Sequence, residues 1–426
     1  MFSNAPWVAL ALVPLVAQGA CTASGPSSAM ASGGASGAPT AGATGGATPD
    51  GGAAQSGGAS GTPSATEGGA SGFCALGERV EGAVVPSGFC VRRFASITEA
   101  RTLVFAPNGD LFVAAPSLAT PGGAASGLGQ IVVAVDDDHD GVAELSVFAD
   151  QLADVHGLAI GGGYIYFTTA TTVFRTPYVP GQRKETGPRE DLKLPGSFTS
   201  GRWTHGLARS VNGVLLASKG EYAACGSAAG TIASIGDGTS TVVAAGFRNP
   251  MYLRCHYRDD LCAADELGED QALGATERFV VVRSDADFGY PCCYGAGIPA
   301  PGVETSSCQT VTAEAASFPL SDTPFGFDWA RENWPAPYAG GLFFALHGSH
   351  YSTPIWQGAR IAFKRTDPAS HLPIDDVAEN FVTGFGPAGG VLERPADVAF
   401  APDGRMFFAD DQGGAVYWVA PDVASP

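Results

Sequence analysis

Positive charge is what this sequence has least of. Its 426 residues carry 23 Lys and Arg against 42 Asp and Glu, a formal net charge of −19. Such a surface repels polyphosphate, which argues against nucleic acid or an anionic membrane surface as partner. No G-x-G-x-x-G opens a helix, and neither a G-x-x-x-x-G-K-[ST] loop nor a G-x-S-x-G elbow occurs. A nicotinamide enzyme or serine hydrolase would need one of these. None of the nine cysteines has the spacing of a zinc site. Long helical patterns are nearly absent as well.

Large apolar side chains are nearly absent from residues 22–72, a run mostly of Gly, Ala, Ser and Thr with a few Pro. Burial cannot offset the entropy of ordering such a stretch, so it reads as a disordered tether. Ahead of it, Trp7 to Ala17 is apolar but too short to span a bilayer, and fits the core of a signal peptide over residues 1–21. Cys21, after Gly19 and Ala20, resembles a lipoprotein processing site, and acylation there would be the chain's one link to a membrane. Gln18 and the lack of Lys or Arg before the apolar core depart from that signal, so ordinary cleavage is the other reading. The remaining eight cysteines, Cys74, Cys90, Cys225, Cys255, Cys262, Cys292, Cys293 and Cys308, favour disulfides in an exported chain. Cys74 with Cys90 and Cys255 with Cys262 would close short loops; the connectivity is otherwise open.

What is present is a repeat. "ARTLVFAPNGDLFVAAPS" starts at Ala100, "VHGLAIGGGYIYFTTAT" at Val155 and "THGLARSVNGVLLASKG" at Thr204. "RNPMYLRCHYRDDLCAADE" at Arg248, a copy with an insertion at Thr323, and "RPADVAFAPDGRMFFADDQGGAVYWV" at Arg394 complete six. Each is a short strand, a turn such as Pro-Asn-Gly or Pro-Asp-Gly, and a second strand ending in small or acidic residues. No unit can bury its own apolar face, and a ring of four-stranded sheets solves that problem. The expected fold is all-β: a six-bladed β-propeller over residues 73–420, with a tail at 421–426.

In a propeller the strand starts of all blades meet at one rim. The residues there are Arg101, His156, Arg202 with His205, Arg248 with Asn249, Thr323, and Arg394 with Asp397. Arginines and histidines crowded on one rim repel and lose hydration unless a ligand offsets the cost, so the rim is the expected site.

Four stretches in order, "GFRNPMYLRCHYRDDLCAADELGED", "DADFGYPCCYG", "FPLSDTPFGFDW…WPAPYAGGLFFALHGSH" and "TGFGPAGGVLERPADVAFAPDGRMFFADDQGGAVYWV", resemble the glucose/sorbosone dehydrogenase family. Its members are exported six-bladed propellers that oxidise sugars with pyrroloquinoline quinone (PQQ) and pass electrons to an external acceptor. The resemblance implies that Arg248 and Asn249 belong to the quinone pocket, with Arg248 polarising a quinone oxygen. It implies that Arg394 pairs with cofactor carboxylates, with Arg202 and Asp397 alongside. The chain departs from the family where the catalytic base belongs: Arg202 occupies the His position, and arginine is no base at ordinary pH. His205 or His156 then serves as base on the sugar hydroxyl, with Glu221 as a possible orienter, or the chain no longer oxidises anything and binds a carbohydrate or protein partner. His350 and Tyr351 depart as well.

A separate motif, "DDDHDGVAE", places Asp136, Asp138 and Asp140 at alternate positions before Gly141 and Glu144. Alternate acids in a Gly-turned loop suit Ca²⁺, here as a structural pin; a solvated acidic hairpin tip is the other reading. The acids Asp265, Glu266, Glu269 and Asp270 lie where the family holds its cofactor's Ca²⁺ partly through backbone oxygens.

Overall fold

A computed structural model of the chain describes residues 70–118, 127–192, 202–236, 238–268, 275–348, 358–386 and 392–422. Residues 1–69, on which the expected signal segment, Cys21 and the expected tether fall, lie outside these, as do Glu269, Asp270, His350 and Tyr351. Among the described residues there is no α-helix; besides strands there are only two 3-10 turns, Ala70–Ala75 and Thr305–Cys308.

Six blade sheets follow one another, each built on one copy of the repeat, and a separate two-stranded sheet pairs Cys293–Gly295 with Ile298–Pro299. Blade 1 is Thr102–Phe105, Leu111–Ala115, Leu128–Val135 and Glu144–Ala153. Blade 2 is Leu158–Gly161, Tyr164–Thr168, Val173–Pro177 and Glu190–Asp191. Blade 3 is Leu207–Arg209, Leu215–Lys219, Gly230–Gly236 and Thr239–Phe247, with Ala286–Asp287 added in parallel at its outer edge. Blade 4 is Leu253–Cys255, Cys262–Glu266, Glu277–Val281 and Ala316–Phe318. Blade 5 is Pro324–Trp329, Leu342–Leu346, Arg360–Lys364 and Glu379–Val382. Blade 6 takes three strands from the end of the chain, Pro395–Phe400, Met406–Asp410 and Ala415–Pro421. Its fourth, Phe89–Ser96, comes from the beginning, and the antiparallel pairing from Phe89 opposite Pro421 to Ser96 opposite Ala415 closes the ring. The first strands of the six blades neighbour one another in sequence order around the axis, blade 6 meeting blade 1.

The turn chemistry differs in one detail from the tight two-residue hairpin. In Ala106–Asp110 the Gly109 N–H donates to the Ala106 carbonyl at 2.9 Å and the Ala106 N–H to Asp110 at 2.8 Å. Gly109 and Gly404 take φ 95° and 93°, whereas Asn108 and Asp403 keep ordinary negative φ. Pro therefore starts a turn that one left-handed glycine finishes.

Aromatic rings fill the blade interfaces. Phe343 meets Phe400 at 5.6 Å, Trp334 meets Phe400 at 4.9 Å, and Phe279 meets Phe327 at 5.0 Å. The buried indoles reach carbonyls in neighbouring loops, Trp418 to Gly141 at 3.0 Å and Trp334 to Gly404 at 2.6 Å. All eight cysteines pair. Cys74–Cys90 and Cys255–Cys262 are the two short loops expected, and Cys225–Cys292 and Cys293–Cys308 complete the set.

The small or acidic ends of the second strands have a mechanical use. Thr168 Oγ1 accepts from Gly157 N at 2.7 Å and donates to the His205 carbonyl of the next blade at 2.8 Å. Ser218 Oγ does the same between Gly206 N, 2.7 Å, and the Pro250 carbonyl, 2.5 Å. Glu266 accepts from Arg248 N at 2.6 Å and Asn249 N at 3.2 Å; Asp410 accepts from Glu393 N at 2.7 Å and Arg394 N at 2.9 Å. The glycines of the two His-Gly-Leu entries permit this closeness. A Cβ on Gly157 would lie 2.5 Å from the His205 carbonyl, and one on Gly206 2.7 Å from that of Met251. Replacing Thr168 by Val keeps the shape but strands a buried N–H and a buried carbonyl. Denaturant unfolding should register a loss of at least ~1–3 kcal/mol; an unchanged midpoint would mean that the hydroxyl carries no load.

Candidate functional site

The rim residues do gather on the strand-entry face, but in two layers. The inner layer is buried. Arg101 Nε pairs with Asp411 Oδ2 at 2.8 Å, and its guanidinium lies over Phe325 at 5.2 Å and Trp203 at 5.8 Å. His347 Nε2 approaches Asp411 at 3.1 Å and stacks on Phe325 at 4.1 Å. Burial opposes ionisation of Asp411, but His347, Arg101 and Arg394 outweigh it and hold the carboxyl below the usual range. His347 is itself pushed down to about 4 by burial and by Arg394, so near neutrality it is an uncharged donor and the guanidiniums supply the charge.

Arg394 is spent within this layer. Its Nε donates to the His347 carbonyl at 3.0 Å, and its Nη2 to the Gly348 carbonyl. Burial lowers it to about 10, still a cation at neutrality. Asp397 lies deeper, in the axial channel. It accepts from Leu103 N at 2.8 Å and from Arg254 at 3.0 Å, tying blade 6 to blades 1 and 4, and burial raises it to about 7 against the pull of Arg254. That placement makes Asp397 a strut of the channel, and it does not border the large cavity described below.

Neither candidate base is exposed. His205 Nε2–H donates to the Ala170 carbonyl at 3.2 Å, and burial lowers the ring to about 4. His156 is fully buried, edge-on to Trp203 at 5.7 Å and Tyr252 at 5.1 Å, and lines an axial cavity of about 130 Å³. Neither ring nitrogen is well aligned with an acceptor among the described residues, the His205 backbone being the partner close by. Burial, then Arg101 and His205, hold it well below the ordinary histidine value. Glu221 pairs with Lys219 at 3.0 Å rather than with a histidine.

The outer layer is open. Arg202, Tyr222, Arg248, Tyr290, Pro291 and Tyr294 border a cavity of about 670 Å³ on the side of blades 3 and 4. The Arg202 guanidinium lies over the Tyr222 ring at 4.1 Å and donates to its hydroxyl at 3.3 Å. Burial and the neighbouring Arg248 both lower its pKa, a sign that two guanidiniums share one space. Tyr290 Oη bonds both the N–H and the carbonyl of Ala223, and Cys225–Cys292 ties the same walls together. Asn249 stands behind, its amide oxygen held by Thr204 Oγ1 at 3.1 Å. Two guanidiniums and three phenol rings suit a planar, anionic, aromatic ligand. The aromatic walls went unnoticed in the sequence, where only the "YPCCY" run around the disulfides hinted at them.

On the acidic loop, carboxylate oxygens of Asp136, Asp138 and Asp140 lie within 4.8 Å of one another. Glu144 does not join them; its carboxylate is occupied by Asp137 N at 2.9 Å. The loop docks on the ring closure, where Gly77 N donates to the Asp140 carbonyl at 2.8 Å. Asp265 accepts from Tyr252 N at 2.6 Å, and Glu266, besides its two backbone amides, lies 3.6 Å from Arg278 Nη2.

The architecture is that of a six-bladed β-propeller. No family model matches the chain, and no curated protein matches it by sequence. Solved structures match in fold. The calcium structure of a carbohydrate-active enzyme of family AA12 from Trichoderma reesei has a TM-score of 0.63 at 19% identity, covering 81% of this chain and 98% of that one. The holo form of the pyranose dehydrogenase PQQ domain from Coprinopsis cinerea has a TM-score of 0.63 at 16% identity, covering 79% and 97%. The PQQ-bound aldose sugar dehydrogenase from Streptomyces coelicolor has a TM-score of 0.54 at 16% identity, covering 79% and 99%. At these identities the likeness is one of fold.

The buried histidines generate a pH prediction. An unfolded chain takes up protons at His205 and His347 near 6.5, whereas the folded rings stay neutral down to about 4. Their contribution to stability is therefore complete above pH 6.5 and lost as pH falls towards 4. Urea unfolding at about pH 7 and about pH 5 should show the loss, and His205→Gln should show a smaller one. Equal losses in both proteins would contradict the buried, neutral ring.

Proposed function

We propose that the chain is an exported, PQQ-dependent sugar dehydrogenase that takes a small sugar or sugar aldehyde and passes electrons to an external acceptor. The observation that carries this reading is the arginine–tyrosine cavity on the strand-entry face of a propeller. PQQ is a planar tricarboxylate, and the cavity answers it with guanidiniums, aromatic faces and a volume of about 670 Å³, well within the range of cofactor pockets. Four disulfides agree with export.

Bound there, the quinone would supply the hydride acceptor. Arg248 and Arg202 would hold its anionic edge, and Tyr222, Tyr290 and Tyr294 would exclude water from its faces. Arg394, committed to backbone carbonyls, braces the rim instead of reaching a carboxylate. Neither imidazole borders the large cavity: His205 donates from Nε2, and the buried His156 lines the smaller axial cavity. The base role, proton uptake from the sugar hydroxyl, would fall to whichever of the two a sugar reaches, and His156→Ala tests the one beside the axial cavity. Asp136, Asp138 and Asp140 would hold a structural Ca²⁺ that pins blade 1 to the ring closure.

A second reading is a propeller that binds its ligand without oxidising anything. It draws on one observation: among the described residues lining the large cavity there is neither imidazole nor carboxylate, and arginine fills the position where the resemblance implies a base.

Calorimetry with PQQ and Ca²⁺, followed by dye reduction over an aldose panel, separates the two. The first reading expects binding and turnover, with Arg248→Ala losing both and His156→Ala keeping binding while turnover drops on the order of 10²-fold or more. Binding without turnover on any sugar selects the second; no PQQ binding sinks the first. For the acidic loop, a chelator should lower the thermal midpoint, and Asp138→Asn should abolish that sensitivity. A midpoint indifferent to chelator would leave the loop a plain hairpin tip.

A further inference from the structure

On the face opposite the cavity, loops of two neighbouring blades meet at three side chains. One loop is the hairpin between the first two strands of blade 4, residues 256–261, clamped at its base by Cys255–Cys262. The other joins the last two strands of blade 5, residues 365–378. His256 from the first is buried, with 1% of its side chain exposed. His371 from the second sits at φ 57°, and its carbonyl accepts from Trp329 Nε1 at 2.9 Å. The two rings stack, centroids 4.1 Å apart and planes 18° from parallel. Both aim a nitrogen at one oxygen: His256 Nδ1 is 3.1 Å and His371 Nε2 3.0 Å from Asp259 Oδ2.

One Asp259 oxygen faces two imidazole nitrogens, and the buried His256 Nδ1 meets it at 3.1 Å off the line of a good hydrogen bond. The spacing fits an ion between them. With metal–ligand bonds of about 2.0–2.1 Å, neighbouring corners of a tetrahedron stand roughly 3.3 Å apart. The two nitrogen–oxygen separations, 3.1 and 3.0 Å, fall just short of that edge, and all three ligand atoms lie within 4.8 Å of one another. A small outward movement would admit one ion. Two imidazoles and one carboxylate suit zinc and its transition-metal neighbours rather than calcium or magnesium. Asp259, 51% exposed, leaves the fourth corner open to water and gives the ion a way in.

We propose that His256, Asp259 and His371 bind a divalent transition-metal ion of the zinc class, stapling blade 4 to blade 5 on the face remote from the large cavity. The site is independent of any quinone chemistry and stands or falls without it.

The test uses the whole secreted chain without a polyhistidine tag, stripped with chelator and held in excess Ca²⁺ so that oxygen-rich sites are filled. Titration with Co²⁺ alone should give one equivalent of tight binding and the visible bands of a tetrahedral nitrogen–oxygen site. Zn²⁺ should displace it and raise the thermal midpoint. His371→Asn, chosen because Asn tolerates positive φ, should weaken Co²⁺ binding by on the order of 100-fold or more and abolish the Zn²⁺-dependent shift. Asp259→Ala, at an exposed position, should do the same and serves if the first variant folds poorly. Wild-type protein that takes up no Co²⁺, or variants that bind it as the wild type does, would overturn the proposal.

Discussion

Six short strands crowd one axis, and at their entrances backbone groups have no partner within their own sheet. Everything on the functional face depends on how those groups are satisfied. Thr168 and Ser218 solve the problem with one hydroxyl each, accepting from their own blade's entry amide and donating to a carbonyl of the next. Glu266 and Asp410 solve it with a carboxylate, where two amides converge and no carbonyl needs a donor. The choice between hydroxyl and carboxylate follows the local count of donors and acceptors. These seams hold the backbone at Arg248 and Arg394, and so decide where two guanidiniums begin.

Positive charge on the rim is then sorted by burial. Arg101 and Arg394 surround one ionised carboxylate, Asp411, and a neutral His347 fills the gap. Removing water from several cations is tolerable only with such compensation. Arg202 lies over the Tyr222 ring, and Arg248 borders the same cavity with the buried Glu266 carboxylate close by. The rim's positive charge is thus divided between a buried, caged layer and one that borders an open cavity, a division that the count of arginines conceals.

This division also explains what the sequence makes legible. Strand–turn–strand patterning is local, so six blades and their entry residues can be read from Ala100, Val155, Thr204, Arg248, Thr323 and Arg394. The pairs Cys74–Cys90 and Cys255–Cys262 are local too. Partnerships between blades leave no spacing to read: Asp397 with Arg254, Asp411 with Arg101, Cys225 with Cys292 and His256 with His371 join segments far apart in the chain. The His-Gly-Leu entries were the most misleading. Their histidines look like bases, yet the glycines beside them are what the packing requires, through contacts with His205 and Met251 carbonyls that a Cβ would violate.

The two histidines nonetheless differ in a way that bears on chemistry. A buried neutral imidazole is worth keeping structurally if both nitrogens find partners, because the desolvation is then repaid. His205 approaches that condition through Ala170. His156 is equally buried, neither ring nitrogen is well aligned with an acceptor although the His205 backbone stands close, and Arg101 and His205 both oppose its protonation. Its desolvation is therefore repaid chiefly by ring packing, edge-on to Trp203 and Tyr252, rather than by hydrogen bonds.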